Sequence, residues 1–227
     1  MLLLALDTST SACSVALWDD SGQLATSHVV DPQAHGELLA PGIEAVFTQA
    51  GRRPAELTHI VVGVGPGPFT GLRVGIVSAL TLGYVVGVTA QGLSSLDALA
   101  ERAWTSGVRG RILVATDARR KEVYWATYAL DGTGIHAEDG PAVSRAADLP
   151  EDVRALPNVG RGGLLYAADL PNRVLVCEDA IDVDAGDLAD LAIRRLAAGE
   201  SLLPAQPLYL RRPDAVPSAS VKSVLPR

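Results

Sequence analysis

Two stretches of the sequence carry residue types that bind phosphate or a metal–nucleotide in other proteins. The first is Asp7-Thr8-Ser9, which follows an apolar N-terminal run. An acid at the end of a central strand, followed by hydroxyl side chains, can hold a metal–nucleotide. The alternative is that Thr8 and Ser9 hydrogen-bond the backbone of their own turn. The sequence leaves both interpretations open.

The second stretch is "GVGPGPFTGLRVGI", residues 63–76, where glycines and prolines join an apolar run to a predicted helix. It matches neither the P-loop nor the dinucleotide-binding pattern, because no lysine follows and the glycines are spaced differently. Pro66 and Pro68 remove two backbone donors that a phosphate-binding loop would use. We therefore predict a rigid corner, with Thr70 as the N-cap of the helix.

The predicted helix carries a small residue at every fourth position, at Gly71, Gly75, Ala79 and Gly83. Each interior glycine costs up to about 1 kcal/mol of helix stability relative to alanine, and it lets another backbone come close. The close neighbour is either the chain's own sheet or a second helix, and both remain open. The second case predicts a helix-pair docking surface with these partner-interface residues: Leu39, Ile43, Val46, Gly71, Leu72, Gly75, Ile76, Ala79 and Gly83.

Arg73 lies in the first turn of this helix, where the helix dipole disfavours a cation. Such a residue often points at an anionic group, either in the protein or in a partner. Together with the N-terminal stretch it completes a set of possible nucleotide or anion contacts: Asp7, Thr8, Ser9 and Arg73.

Metal and nucleophile chemistry have little support in the sequence. None of the four histidines forms a metal-ligand spacing with another, and no G-x-S-x-G motif surrounds a serine. We therefore predict neither a metal site nor a catalytic residue. The histidines are His28, His35, His59 and His136.

The composition indicates a folded, acidic chain. Its 227 residues are 48% hydrophobic, and the formal net charge is −7. A protein that grips nucleic acid by itself usually presents a basic face, so direct binding to RNA is not expected. Cys13 and Cys177 lie in apolar runs and are predicted to be buried free thiols. We expect a cytoplasmic protein without a secretory signal.

Residues 74–96 carry no charge, which raises the question of a membrane span. Four glycines and several polar side chains interrupt this stretch. A buried helix followed by a buried strand explains it better than a transmembrane helix.

The elements that position these residues follow a β-β-β-α-β-α-β-α order in the first half of the chain. A short strand is expected near Val88, and Ser94 or Ser95 is predicted to cap the last helix. The other predicted strands cover residues 2–8, 13–18, 23–30 and 60–65, and the predicted helices cover residues 35–50, 70–86 and 94–104.

The second half repeats the pattern. Aligning Asp7 with Asp117 places Gly22 opposite Gly132, so strand, acid, strand and turn recur in the same places. We predict an α/β, two-lobed, duplicated βββαβα fold with lobes at residues 1–105 and 106–200. A proline-rich tail, residues 201–227, is extended or packed as a strap, and its last ten residues are expected to be disordered. The predicted elements are strands at 112–116, 123–130 and 174–177 and a helix at 186–198, with weak signal from 138 to 172.

Six blocks of the sequence resemble the TsaB family, in order and over nearly the whole chain. The resemblance implies the actin, sugar-kinase and Hsp70-like (ASKHA, ribonuclease H-like) fold. The family usually has serine where this chain has Pro68. The blocks are "LLLALDTST", "HGELLAPGIEAVF", "GVGPGPFTGLRVGI", "SSLDALA", "DARRKEVYWA" and "PLYLR".

This resemblance implies a non-catalytic paralogue of the catalytic subunit TsaD, in the formation of threonylcarbamoyladenosine beside the tRNA anticodon. The TsaD histidine ligands are missing from residues 88–100. Helices 35–50 and 70–86 are implied to pack on their TsaD counterparts, or to form a homodimer when TsaD is absent. The ATPase TsaE would bind near that junction, with Mg-ATP used by the complex and tRNA contacted only indirectly. No tightly bound cofactor is expected.

Two other function classes remain as alternatives. An ATP-dependent phosphotransferase of the same fold would place Asp7 and Asp117 on either side of a nucleotide. The Ala118-Arg119-Arg120 sequence weakens this hypothesis, because kinases of this fold tend to have glycines there. A metalloprotease is disfavoured by the absence of ligand spacing among the histidines.

Overall fold

Two mixed β-sheets form the framework of the chain in a computed structural model that describes residues 1–174 and 180–211. The first sheet has the strand order β10-β5-β4-β1-β2-β3. In this sheet, β1 pairs antiparallel with β2 and parallel with β4. The elements of this half are β1 (Leu2–Asp7), β2 (Ala12–Asp19), β3 (Gly22–Val30), α1 (His35–Ala50), β4 (His59–Gly63), α2 (Phe69–Val86), β5 (Ala90–Leu93) and α3 (Ser95–Thr105), with β10 (Leu203–Pro204) added from the tail.

The second sheet repeats the central part of the first. Its order is β8-β7-β6-β9, with β6 antiparallel to β7 and parallel to β9. Asp7 and Asp117 both end the first strand of their sheet, as the sequence alignment predicts. The duplicated α/β fold is therefore confirmed. The elements are β6 (Gly110–Asp117), β7 (Glu122–Leu130), β8 (Ile135–Arg145), α4 (Glu151–Arg154), β9 (Asn158–Val159), α5 (Arg161–Leu165) and α6 (Ala185–Ala197).

Strand β8 lies in the region where the sequence signal is weak. It pairs antiparallel with β7, but most of its residues are exposed, so no hydrophobic alternation marks it. The predicted strand at 174–177 begins with Val174, whose N–H donates to the carbonyl of Asn158. Its remaining residues, Cys177 among them, lie outside the described part of the chain, as do the last ten residues of the tail.

Helix α6 packs against the first sheet, beside α3. Its buried Leu188 and Leu191 share one hydrophobic core with Leu3 and Ala5 of β1, and with residues of the second sheet. The N–H of Ala185 also donates to the hydroxyl of Ser14 on β2, at 2.8 Å. This corrects the predicted lobe of residues 106–200, because its last helix completes the first lobe.

The helix starts differ from the capping predictions. Helix α2 begins at Phe69 with Pro68 as its N-cap residue, and no side chain caps it, so the prediction for Thr70 is wrong. Pro68 has φ −58° and ψ 135°, an extended conformation that the proline ring allows. Ser94 is the N-cap residue of α3 but makes no side-chain cap bond, while the hydroxyl of Ser95 bonds to Asp7.

Candidate functional site

A cleft lies between the two lobes where β1 and β6 end. It encloses a cavity of about 130 Å³, which is smaller than the roughly 300–1,000 Å³ of typical small-molecule sites. One wall comes from the β1–β2 turn and the first residues of α1 and α2. The other wall comes from the second lobe and includes Thr116, Asp117, Arg119, Arg161 and Asp182.

Asp7 lies behind this cleft and is fully buried. Its Oδ1 accepts hydrogen bonds from the N–H and the hydroxyl of Ser9, both at 2.7 Å, and its Oδ2 accepts one from the hydroxyl of Ser95 at 2.6 Å. Burial raises the pKa of the Asp7 carboxyl, against the opposing effect of these hydrogen bonds. A Cβ at Gly63 would lie 1.7 Å from Oδ2, which explains the glycine at the end of β4.

The predicted anion contacts are therefore corrected. Asp7 and Ser9 bond internally and do not line the cavity, whereas Thr8 does line it. Arg73 does not point at a carboxylate among the described residues. Its guanidinium lies 5.1 Å from the centre of the Phe69 ring, a cation–π contact on the exposed side of α2.

The charged groups of the second wall pair with each other. Arg119 contacts Asp117 at 3.2 Å, and Arg161 forms an ion pair with Asp182. Asp182 also accepts the N–H of Ser11 at 3.3 Å, which links the two lobes. The positive and negative charges that line the cleft are consequently nearly balanced.

The small-residue stripe of α2 faces the chain's own first lobe. The Thr8 hydroxyl donates to the carbonyl of Gly71 at 2.7 Å and accepts from the N–H of Gly75 at 3.0 Å. Added Cβ atoms would lie 2.4 Å from the Thr8 carbonyl oxygen at Gly71 and 2.4 Å from the Val88 carbonyl oxygen at Gly83. The stripe exists because the backbone of the β1–β2 turn and of the loop before β5 approaches the helix there.

The predicted partner-interface residues need the same correction. Eight of the nine are buried inside the chain, and Ile43 is half-buried against the same core. They lie on the sides of α1 and α2 that face the first sheet, so they are not available to a partner. The eight are Leu39, Val46, Gly71, Leu72, Gly75, Ile76, Ala79 and Gly83.

The opposite side of α2 is apolar and exposed. Val77 is 55% exposed, Tyr84 is 91% exposed, and Leu80 and Val85 are also exposed. At about 100° per residue, Val77, Leu80 and Tyr84 fall within an arc of about 60°. We call Val77, Leu80, Tyr84 and Val85 the α2 face. In the sequence, Leu80 and Tyr84 lie on a row beside the small-residue stripe, and this spacing alone does not show which side of α2 is exposed.

By length and composition alone, α2 could cross a membrane. Its stripe, however, packs on the β1–β2 turn and on the loop before β5, as the core helix of a folded domain does. Exposed contiguous apolar faces of this kind mark protein or membrane interaction sites or ligand-binding grooves. Within residues 1–174 and 180–211, no three His, Cys, Asp or Glu side chains lie close enough together to share a metal ion.

Comparison with known proteins assigns the family. The family model for TsaD, tRNA N6-adenosine threonylcarbamoyltransferase, matches residues 30–171. The Escherichia coli tRNA threonylcarbamoyladenosine biosynthesis protein TsaB is 34% identical over 220 residues, covering 93% of this chain and 95% of that protein. The chain belongs to the TsaB family. An uncharacterized Mycobacterium tuberculosis protein is 38% identical over 220 residues, covering 96% of this chain and 95% of the relative.

Solved structures agree with membership of the TsaB family. YeaZ from Pseudomonas aeruginosa superposes with a TM-score of 0.77 at 31% identity, covering 92% of this chain and 100% of that chain. The TsaD family model spans both α1 and α2. The resemblance of the sequence blocks to the TsaB family is confirmed.

Proposed function

We propose that this chain is a non-catalytic subunit in the biosynthesis of tRNA threonylcarbamoyladenosine, and that it holds a TsaD-type catalytic relative in its active arrangement. The observation that carries the proposal is the α2 face, an exposed apolar helix surface on a member of the TsaB family. A biosynthetic role follows from the E. coli and Bacillus subtilis relatives, both named for this pathway.

A TsaD-type partner fits the α2 face because of shared ancestry. The TsaD family model covers residues 30–171, so a TsaD-type protein carries counterparts of both α1 and α2. Two related helix pairs can pack on each other about a pseudo-two-fold axis, as isologous surfaces do in dimers. The same geometry allows two copies of this chain to pair when the partner is absent.

The interior of the cleft supports a non-catalytic role. The Asp7 carboxylate is occupied by three internal hydrogen bonds, and the wall opposite it is charge-paired. A Mg-nucleotide would need both the space and an available carboxylate. We infer that ATP is used elsewhere in the complex, by a TsaE-type ATPase that joins the pair.

Contact with tRNA is proposed to be indirect, through other subunits. The net charge of −7 gives this chain no electrostatic attraction for a phosphate backbone. We infer a cytoplasmic location for the chain, where the complex would modify its tRNA substrate.

A matched pair of surface variants tests the docking proposal. Val77→Asp puts a charge into the α2 face, and Val30→Asp puts the same charge on β3, where Val30 is equally exposed at 54%. Calorimetry with a purified TsaD-type subunit should show binding weakened at least about 100-fold by Val77→Asp, because a charge would be buried unpaired. Val30→Asp should bind like the wild type. Normal binding by a folded Val77→Asp variant would exclude the α2 face as the docking site.

The alternative is an ATP-dependent phosphotransferase, favoured only by Asp117, which lines the cleft at the end of β6. Titration of the isolated chain with Mg-ATP separates the two functions. The docking proposal predicts no binding at millimolar nucleotide, whereas micromolar binding would favour the phosphotransferase.

A further inference from the structure

The C-terminal segment runs along the first lobe and reaches the second lobe. Strand β10 pairs with β5, and the N–H of Leu208 then donates to the carbonyl of Val64 at 2.8 Å. The Tyr209 ring stacks on Phe69 at the start of α2, with ring centres 5.2 Å apart and planes inclined by 27°. The "PLYLR" block is thereby attached to the "GVGPGPFTGLRVGI" block.

Arg211 continues from this stack to the second lobe. Its Nη1 donates to the carbonyl of Ala118 at 2.8 Å, and its guanidinium forms an ion pair with Glu122. Ala118 and Glu122 flank the β6–β7 turn, within the "DARRKEVYWA" block. Three blocks that are far apart in sequence therefore meet through residues 207–211.

The β6–β7 turn held by Arg211 is strained. Arg119, Arg120 and Lys121 have φ values of 61°, 54° and 63°, in the left-handed region that side chains disfavour. The turn is closed by two backbone hydrogen bonds of 3.0 Å between Ala118 and Glu122 and between Glu122 and Arg119. Such a conformation persists only where the surroundings fix it, and Arg211 binds both flanking residues.

We propose that residues 205–211 form an interlobe strap, which fixes the β6–β7 turn against the start of α2 and extends the docking surface. Phe69 and Arg73 lie on the same side of α2 as Val77 and Leu80, within an arc of about 80°. Tyr209 is 44% exposed and adds its ring to this end of the surface. The proposal has two halves. The docking half, that the strap extends the docking surface, rests on the proposed function, whereas the bracing half, that the strap fixes the β6–β7 turn, does not.

Amide hydrogen exchange on the isolated full-length chain tests the bracing half. Arg211→Ala should raise exchange at the Ala118 and Glu122 amides by about tenfold or more, because both lose their external support. Exchange at Gly75, in the core of α2, should stay unchanged. Arg53→Ala, the matched control, removes an arginine whose side chain is 83% exposed and should change neither. Wild-type exchange in the turn of Arg211→Ala would overturn the brace.

Calorimetry with the TsaD-type subunit tests the docking half. Tyr209→Ala should weaken binding by about tenfold, the loss typical of a contributing aromatic contact. Tyr84→Asp serves as the reference for the α2 face itself. If Tyr84→Asp abolishes binding and Tyr209→Ala binds like the wild type, the strap is not part of the docking surface. If Tyr84→Asp also binds normally, the proposed function fails instead.

Discussion

The hydroxyl of Thr8 lies between two backbone groups of α2, the Gly71 carbonyl and the Gly75 N–H, which a regular helix pairs with each other. The sequence presents Thr8 and Ser9 as hydroxyls after an acid, and this pattern occurs both in nucleotide sites and in self-bonded turns. What decides between them is how closely α2 approaches the turn. That distance depends on tertiary packing, so local sequence could not predict it.

The buried carboxyl of Asp7 should make the free energy of unfolding depend on pH. Burial raises its pKa above the ordinary value of 3.8, so the folded chain holds this proton more tightly than the unfolded chain. The stability gained from it is fully present below the unfolded pKa and is lost as pH rises through the folded pKa. Relative to Asp7→Asn, the wild type should gain free energy of unfolding as the pH falls from 7 toward 4. Chemical denaturation at several pH values measures this difference, and a constant or opposite slope would contradict the assignment.

Among the helices, a glycine that is packed against another backbone segment should respond to substitution differently from a glycine that faces open space. Gly71→Ala forces a Cβ to within 2.4 Å of the Thr8 carbonyl oxygen and should lower stability by about 1–3 kcal/mol. Gly36→Ala in α1 meets no atom within 4 Å and should raise stability by no more than about 1 kcal/mol. Thermal unfolding of both variants checks the contrast. Equal effects would mean that the close approach of the β1–β2 turn to α2 is wrong.

The same contacts show how far element-level prediction reaches. The spacing of Gly71, Gly75, Ala79 and Gly83 predicts that some backbone comes close, and this is confirmed. It does not identify the neighbour, because a sheet and a partner helix both require small residues. The sequence does not predict strand β8 for a different reason. The strand is exposed along most of its length, so it lacks the alternation of apolar and polar residues that marks a half-buried strand.

At the scale of the whole molecule, α3 and α6 are joined by a buried ion pair. Glu101 is fully buried, and its Oε1 accepts from the Nε of Arg194 at 2.9 Å, while the guanidinium lies 4.4 Å from the Trp104 ring centre. Burial raises the pKa of Glu101 even beside this arginine. The ends of the chain's two halves are therefore held together through charge as well as apolar packing.

Arg194→Leu should destabilise the fold by about 3–5 kcal/mol, because it leaves the Glu101 carboxylate buried without its partner. Part of the loss should be regained at lower pH, where Glu101 accepts a proton. Arg111→Leu breaks the exposed pair with Glu138 and should change stability little. Urea denaturation of both variants distinguishes the two pairs, and a small effect of Arg194→Leu would contradict the structural role of the buried pair.

The duplication of the fold was predictable from sequence because strand, acid and turn recur at Asp7 and Asp117. The packing of α6 against the first sheet was not predictable from the sequence. Its hydrophobic pattern shows that Leu188 and Leu191 are buried, but a periodic pattern does not say which sheet buries them. The charges lining the cleft were likewise visible in the sequence, whereas the pairing of Arg161 with Asp182, residues that lie far apart in the chain, depends on tertiary packing.

Reconstitution of tRNA modification shows whether the TsaD-type subunit needs this chain for activity. The reaction combines the TsaD-type subunit, the TsaE-type ATPase, threonylcarbamoyl-adenylate, ATP and tRNA, with this chain present, omitted or replaced by a variant. We expect modification with the wild type and with Val30→Asp, and a loss with Val77→Asp as large as that on omission. Undiminished modification without the chain, or with a folded Val77→Asp variant, would contradict it.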